Sequence, residues 1–244
     1  MEPSRRALFL REMGLAPLWR RRAGAEHVAT ATVADSGSPA AEPSRELDRD
    51  EPHSRAARIL RFDWAQLRAA VSGCEACALC KSRKNTVFGV GDERADWLIV
   101  GEAPGAEEDA RGEPFVGQAG RLLDNMLAAI ALKRGDNVYI ANVLKCRPPG
   151  NRNPEPAEVA QCSPYLLRQI QLLEPKLIIA MGRFAVQTLL ETDASIASLR
   201  GRLHRYRGVP LIVTYHPAYL LRSLPEKAKA WEDLCFARRT MSGL

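Results

Sequence analysis

The chain has 244 residues, 46% hydrophobic and 26% charged, with 35 Lys and Arg against 29 Asp and Glu. That suffices for one sizeable core plus extras, and no apolar run approaches the ~20 residues that span a bilayer, so no membrane association is expected. The opening Met1-Glu2-Pro3-Ser4-Arg5-Arg6 precedes no long apolar stretch or cleavage site, which predicts a cytoplasmic rather than an exported protein. The net charge of +6 is uneven: residues 183–244 hold ten Lys and Arg against five acids, whereas 25–60 hold seven acids against four arginines. A basic carboxyl-terminal third suits a polyanionic partner, because neutralised phosphates release counterions.

Residues 1–22 read as a short amphipathic helix capped by Ser4 and ended by Gly14, followed by Trp19 and the run Arg20-Arg21-Arg22. This basic segment, 1–24, is a candidate docking element for DNA or a protein partner, or an extension packed on its own domain. Residues 25–60 carry no Phe, Trp or Tyr and no apolar period, and are expected to form a flexible linker. From residue 61 onward the texture changes. Phe62–Val71 reads as an amphipathic helix. Strands at 97–101, 138–143, 176–180 and 210–215 then alternate with helices at 119–131, 156–173, 182–190 and 225–240. That alternation predicts a three-layer α/β domain over 61–244, with a mainly parallel four-stranded sheet and helices on both faces. Pro164, preceded by Ser163 as a cap, is expected to split 156–173 into two helices. Leu203–Arg207, Gly208 and Pro210–Val213 predict an edge hairpin.

Six cysteines in a reducing compartment point to metal binding or catalysis rather than disulfides. Cys74-Glu75-Ala76-Cys77 is a Cys-x2-Cys knuckle, while Cys146 falls just after a strand and Cys162 near a helix end. Four thiolates suit either zinc or an iron–sulfur cluster, and the spacing, unlike paired zinc knuckles, leans toward iron. Cys80 extends the knuckle and competes as a ligand. Cys235, among Trp231, Leu234 and Phe236, reads as core. Four thiolates would fill a coordination shell, so the centre is expected to be structural.

Two loops that leave strand ends complete the pattern: Gly101-Glu102-Ala103-Pro104-Gly105 and His216-Pro217-Ala218-Tyr219-Leu220-Leu221-Arg222. Loops at the carboxyl ends of parallel strands share one edge and can converge on one pocket. The first loop, continued through Glu107, Glu108, Asp109 and the stretch Pro114-Phe115-Val116-Gly117, resembles the first motif of the family 4 uracil-DNA glycosylases. Asn142-Val143-Leu144-Lys145-Cys146-Arg147 resembles their second block, and Tyr215–Arg222 their last. The likeness spans about residues 64–240 and leaves 1–60 as an extension.

The resemblance implies a 4Fe–4S cluster held by Cys74, Cys77, Cys146 and Cys162, and an enzyme, acting as a monomer in association with the nucleoid, that removes uracil from DNA by cutting its N-glycosidic bond. Phe115 is then expected to stack on a flipped uracil, and Asn142 to read its O4 and N3–H. His216 would donate to O2 as negative charge grows there. Gly101, Glu102 and Ala103 would line the ring through backbone groups. Glu108 would abut C5, and Glu102 is the candidate that orients water. Leu220 or Leu221 would wedge into the duplex, while Arg222, Arg200, Arg202, Arg205 and Arg207 would hold phosphates.

Overall fold

The computed structural model describes residues 54–244, so the expected helix of 1–22, the basic segment 1–24 and the linker as far as residue 53 lie outside the described residues. Ser54 already belongs to the domain: its hydroxyl accepts from the Ala57 amide and caps α1, Arg55–Ile59, whose Ile59 is buried. Residues 54–60, which composition assigned to the linker, are therefore part of the folded unit. Asp63 caps α2, Trp64–Ser72, in a reciprocal capping box with Gln66.

Six strands form one sheet among the described residues: β1 (Val90–Gly91), β2 (Trp97–Gly101), β3 (Val138–Asn142), β4 (Leu177–Met181), β5 (Leu203–Tyr206) and β6 (Val209–Thr214). Their order is β1-β3-β2-β4-β6-β5, with β3, β2, β4 and β6 mutually parallel and the two edge strands antiparallel. The four expected strands are the parallel centre of a larger sheet. Each is an apolar run, closed by Asn142 in β3 and Thr214 in β6, because both faces are covered. Leu98, Val100, Ile178 and Val213 face a cluster with α2 and α5 (Pro156–Leu173), while Trp97, Ile99, Ile179 and Ile212 face α4 (Gln118–Ala129) and α9 (Glu226–Met241).

The expected break at Pro164 does not occur, and α5 runs unbroken through it. Ser163 does not cap; its hydroxyl donates to the Val159 carbonyl one turn back. Cys162, Tyr165, Leu166, Gln169, Ile170 and Leu173 are buried along the same helix. That continuous burial outweighs the ~3 kcal/mol penalty of an interior proline. Shorter helices α3 (Ala106–Arg111), α6 (Arg183–Leu190), α7 (Ile196–Leu199) and α8 (Pro217–Leu220) complete the frame.

Between β2 and β4 the strand order reverses, since the chain leaves β2 toward β3 on one side and leaves β4 toward β6 on the other. The loops after β2, β3, β4 and β6 therefore open around a crevice at the carboxyl edge, where α/β sheets hold their ligands.

Candidate active site

A cleft of about 740 Å³ lies at that edge, bordered by Glu102, Ala103 and Gly105 after β2, Asn142 at the end of β3, Gly182 and Arg183 after β4, and His216 after β6. Phe115 and His216 lie ring on ring, with centroids 5.3 Å apart and planes inclined by 26°. Gly101 is where three elements meet: a Cβ there would strike the Asn142 side-chain oxygen and would lie 2.6 Å from Phe115 Cζ. Gly182, at φ +91°, stands close to His216, whose Cβ a methyl there would meet at 2.9 Å. Both glycines therefore permit the aromatic, the amide and the imidazole to share one wall.

His216 begins α8, and its Nδ1 accepts from the Ala218 amide at 3.1 Å. With Nδ1 occupied as an acceptor, the neutral ring carries its proton on Nε2. Burial pulls the imidazole down to about 4, with Glu108 opposing and Arg222 assisting, so the ring is neutral across the physiological range. Asn142 is 2% exposed, and its buried Oδ1 has no hydrogen-bond partner among the described residues. Leaving such an acceptor unpaired costs roughly 1–3 kcal/mol. Its backbone is held: Lys145 Nζ donates to the Asn142 carbonyl at 2.8 Å and to Gln169 Oε1 at 2.6 Å. Burial pushes the Glu102 carboxyl up to about 7, against the pull of Arg183.

Phe115 has φ +54°, a left-handed conformation that costs an aromatic residue roughly 1–3 kcal/mol. Glu108, expected against uracil C5, instead accepts from the Gly105 amide at 3.0 Å and from the Val116 amide at 3.1 Å, tying the first loop to the Phe115 loop. It still borders the cleft. Arg134, which motif reading passed over, donates to the carbonyls of Pro114 at 2.9 Å and Phe115 at 2.8 Å.

The DNA-facing assignments divide. Arg222 borders the cleft and Leu221 is 39% exposed. Leu220, by contrast, is 1% exposed and packs in the core cluster that holds Leu123 and Leu127, so it is no wedge. Arg200 is spent internally, 3.0 Å from the buried Asp233 and 2.9 Å from Glu232, and is not a phosphate contact. Arg205 ties the hairpin by donating to the Gly208 carbonyl, whereas Arg202 and Arg207 are exposed.

Cys74, Cys77, Cys146 and Cys162 ring a separate cavity whose other walls include Val71, Leu79 and Leu144. Cys80 and Cys235 are not among its lining. Among the described residues, no group of three or more His, Cys, Asp or Glu side chains is arranged to hold a single metal ion. Three of the sulfurs already receive hydrogen bonds: Cys146 from Arg83 at 3.2 Å, Cys74 from Arg55 at 3.4 Å, and Cys162 from the Lys145 amide at 3.2 Å. Burial pushes the Cys162 thiol up to about 12, so its thiolate needs a positive centre beside it. Four sulfurs around an apolar space, fed by N–H donors, are a donor set that fits an iron–sulfur cluster.

The sequence itself points to one class of protein: the model of the uracil DNA glycosylase superfamily matches residues 88–235. Within that class, the type-4 uracil-DNA glycosylase of Archaeoglobus fulgidus is 47% identical over 159 residues, 62% of this chain and 79% of its own. The type-4 enzyme of Pyrobaculum aerophilum is 42% identical over 71% of this chain and 92% of its own, whereas the type-5 enzyme of the same organism is 32% identical over 53% and 64%. The chain belongs to the uracil-DNA glycosylase superfamily and, within it, to the type-4 family. No helix among the described residues is long and apolar enough to cross a membrane.

Proposed function

We propose that this protein is a uracil-DNA glycosylase that flips uracil out of DNA and hydrolyses its N-glycosidic bond, leaving an abasic site for base excision repair. The observation that carries this reading is the meeting of Phe115, Asn142 and His216 around one cleft at the switch point of the sheet.

The extruded ring lies against Phe115, where base–aromatic stacking contributes roughly 1–3 kcal/mol. The Asn142 amide pairs with O4 and N3–H, and its otherwise orphaned oxygen gains a partner. Cytosine presents the opposite pattern there and leaves the amide unpaired, a difference worth up to about 10⁴ in rate. As the C1′–N1 bond breaks, its electron pair goes to the base and charge grows on O2. The neutral His216 donates from Nε2 to that oxygen, an interaction that strengthens on the way to the transition state. Water adds to C1′, and on this reading Glu102, half ionised near neutrality, takes its proton. Gly101 and Ala103 admit the ring to close backbone contact.

Cys74, Cys77, Cys146 and Cys162 would hold a 4Fe–4S cluster whose contribution is structural cross-linking of α2, the β3–α5 connection and α5. Arg222 and Arg202 would contact phosphates, and Leu221 would fill the gap left by the flipped base. A cytoplasmic enzyme working at the chromosome as a monomer follows from this reading, with residues 1–22 as a candidate tether to a protein partner.

The test is incubation of the full chain with a uracil-containing oligonucleotide, followed by alkali, with cytosine and thymine strands as controls. Scission at uracil alone is expected. Absence of scission with folded, brown protein would reduce the chain to a DNA-binding module.

A further inference from the structure

We propose that Arg134 is the positioning residue that sets the pitch of the Phe115 ring, and through it the fit of the flipped base. The proposal rests on the reading of Phe115 as the base platform. Phe115 holds a backbone conformation that its side chain disfavours, at φ +54°, so the surroundings must impose it. On one side the Glu108 carboxylate holds the amides of Val116 and Gly117. On the other, the planar guanidinium of Arg134 holds two successive carbonyls, Pro114 through Nη1 and Phe115 through Nη2. Its Nε donates to Asp124 at 2.9 Å, which fixes the plane of the fork. Gly120 lets the Phe115 carbonyl press against α4, because a Cβ there would collide with that carbonyl.

Arg134 itself does not border the cleft. It sits between α4 and β3, behind the loop, and acts on the ring only through the main chain. A lysine keeps the charge but cannot hold two carbonyls and a carboxylate in one plane. Released from this clamp, the loop can relax toward extended backbone, which carries the Phe115 ring off His216.

The experiment pairs a structural signal with kinetics. In the ligand-free protein the stacked Phe115 ring shifts the carbon-bound imidazole protons of His216 upfield, a signal Phe115→Leu abolishes. Arg134→Gln is expected to reproduce most of that change, Arg134→Lys to restore little of it, and Asp124→Asn to give a smaller change in the same direction. Single-turnover uracil release should fall on the order of tenfold to a hundredfold in Arg134→Gln, the scale of a misplaced reacting group. Combined with Phe115→Leu it should fall no further than in Phe115→Leu alone. Unmoved His216 resonances in Arg134→Gln, or losses that multiply in the double variant, overturn the proposal. Moved resonances with unchanged uracil release uphold the clamp and instead overturn the platform reading of Phe115. Should Arg134→Gln fail to fold, Asp124→Asn carries the same test: unmoved resonances and full activity there count against the clamp.

Discussion

The domain holds two cavities, and they are built on opposite terms. The cysteine cavity has Val71, Leu79 and Leu144 among its walls beside Arg83 and Lys145, and three of its four sulfurs already receive hydrogen bonds from arginines or a backbone amide. The cleft leaves some of its polar groups open: an amide oxygen without a partner among the described residues, a carboxyl lifted toward neutrality and a neutral imidazole that carries its proton on Nε2. Satisfied groups hold a structure together, and unsatisfied ones wait for a ligand. The two are joined by the short stretch Asn142–Cys146, in which Lys145 supports the Asn142 carbonyl through its side chain and the Cys162 sulfur through its amide. Damage at the cysteines should therefore register first in stability, and damage at the cleft in chemistry.

The largest separation should come from Cys162→Ala, which is expected to abolish visible iron–sulfur absorption and lower the unfolding midpoint by more than ~5 °C, read by absorbance and thermal denaturation. His216→Ala should do the reverse: uracil release falls roughly 10²–10³-fold in single-turnover assays. It should keep its iron absorption, and loss of the helix cap should move the midpoint by no more than about 4 °C.

Glu102→Gln sharpens the contrast through pH. The folded pKa is raised, so the protonated form favours folding; that contribution is complete below about 4.5 and lost as pH rises through about 7. The variant should gain on the order of 1 kcal/mol over the parent at pH 8.5, an allowance made for its partial exposure, and nothing at pH 4. Its excision rate should lose the rise that the parent shows across pH 7. Smallest is Arg222→Ala, expected to weaken DNA binding and reduce the salt slope by about one, as one phosphate contact is removed. Arg200→Met should leave that slope untouched and destabilise the fold instead, by stranding the buried Asp233.

The parallel centre of the sheet was legible because strands covered on both faces are written as solid apolar runs, Trp97–Val100 and Leu211–Val213 among them. Two-residue β1 was not, since a pair such as Val90–Gly91 has no period to read. Pro164 misled because local propensity carries no information about the buried face that holds α5 together. In the site, the motifs carried their residues to one edge, yet two neighbouring leucines, Leu220 and Leu221, divide between core and surface in a way only packing decides. Spacing assigns Arg200 to phosphates and gives Arg134 no role; in the structure one is anchored to a buried carboxylate and the other to two loop carbonyls. Side-chain partners of that kind lie too far along the chain for spacing to reveal.

The central claim is that one extruded base is gripped by ring, amide and imidazole together. A structure of the protein with DNA carrying a non-hydrolysable 2′-fluoro analogue of deoxyuridine tests it directly. The account predicts the uracil ring against Phe115, its O4 and N3 paired with Asn142, and its O2 within hydrogen-bond reach of His216 Nε2. A uracil still stacked in the duplex, or bound away from these three side chains, would contradict it.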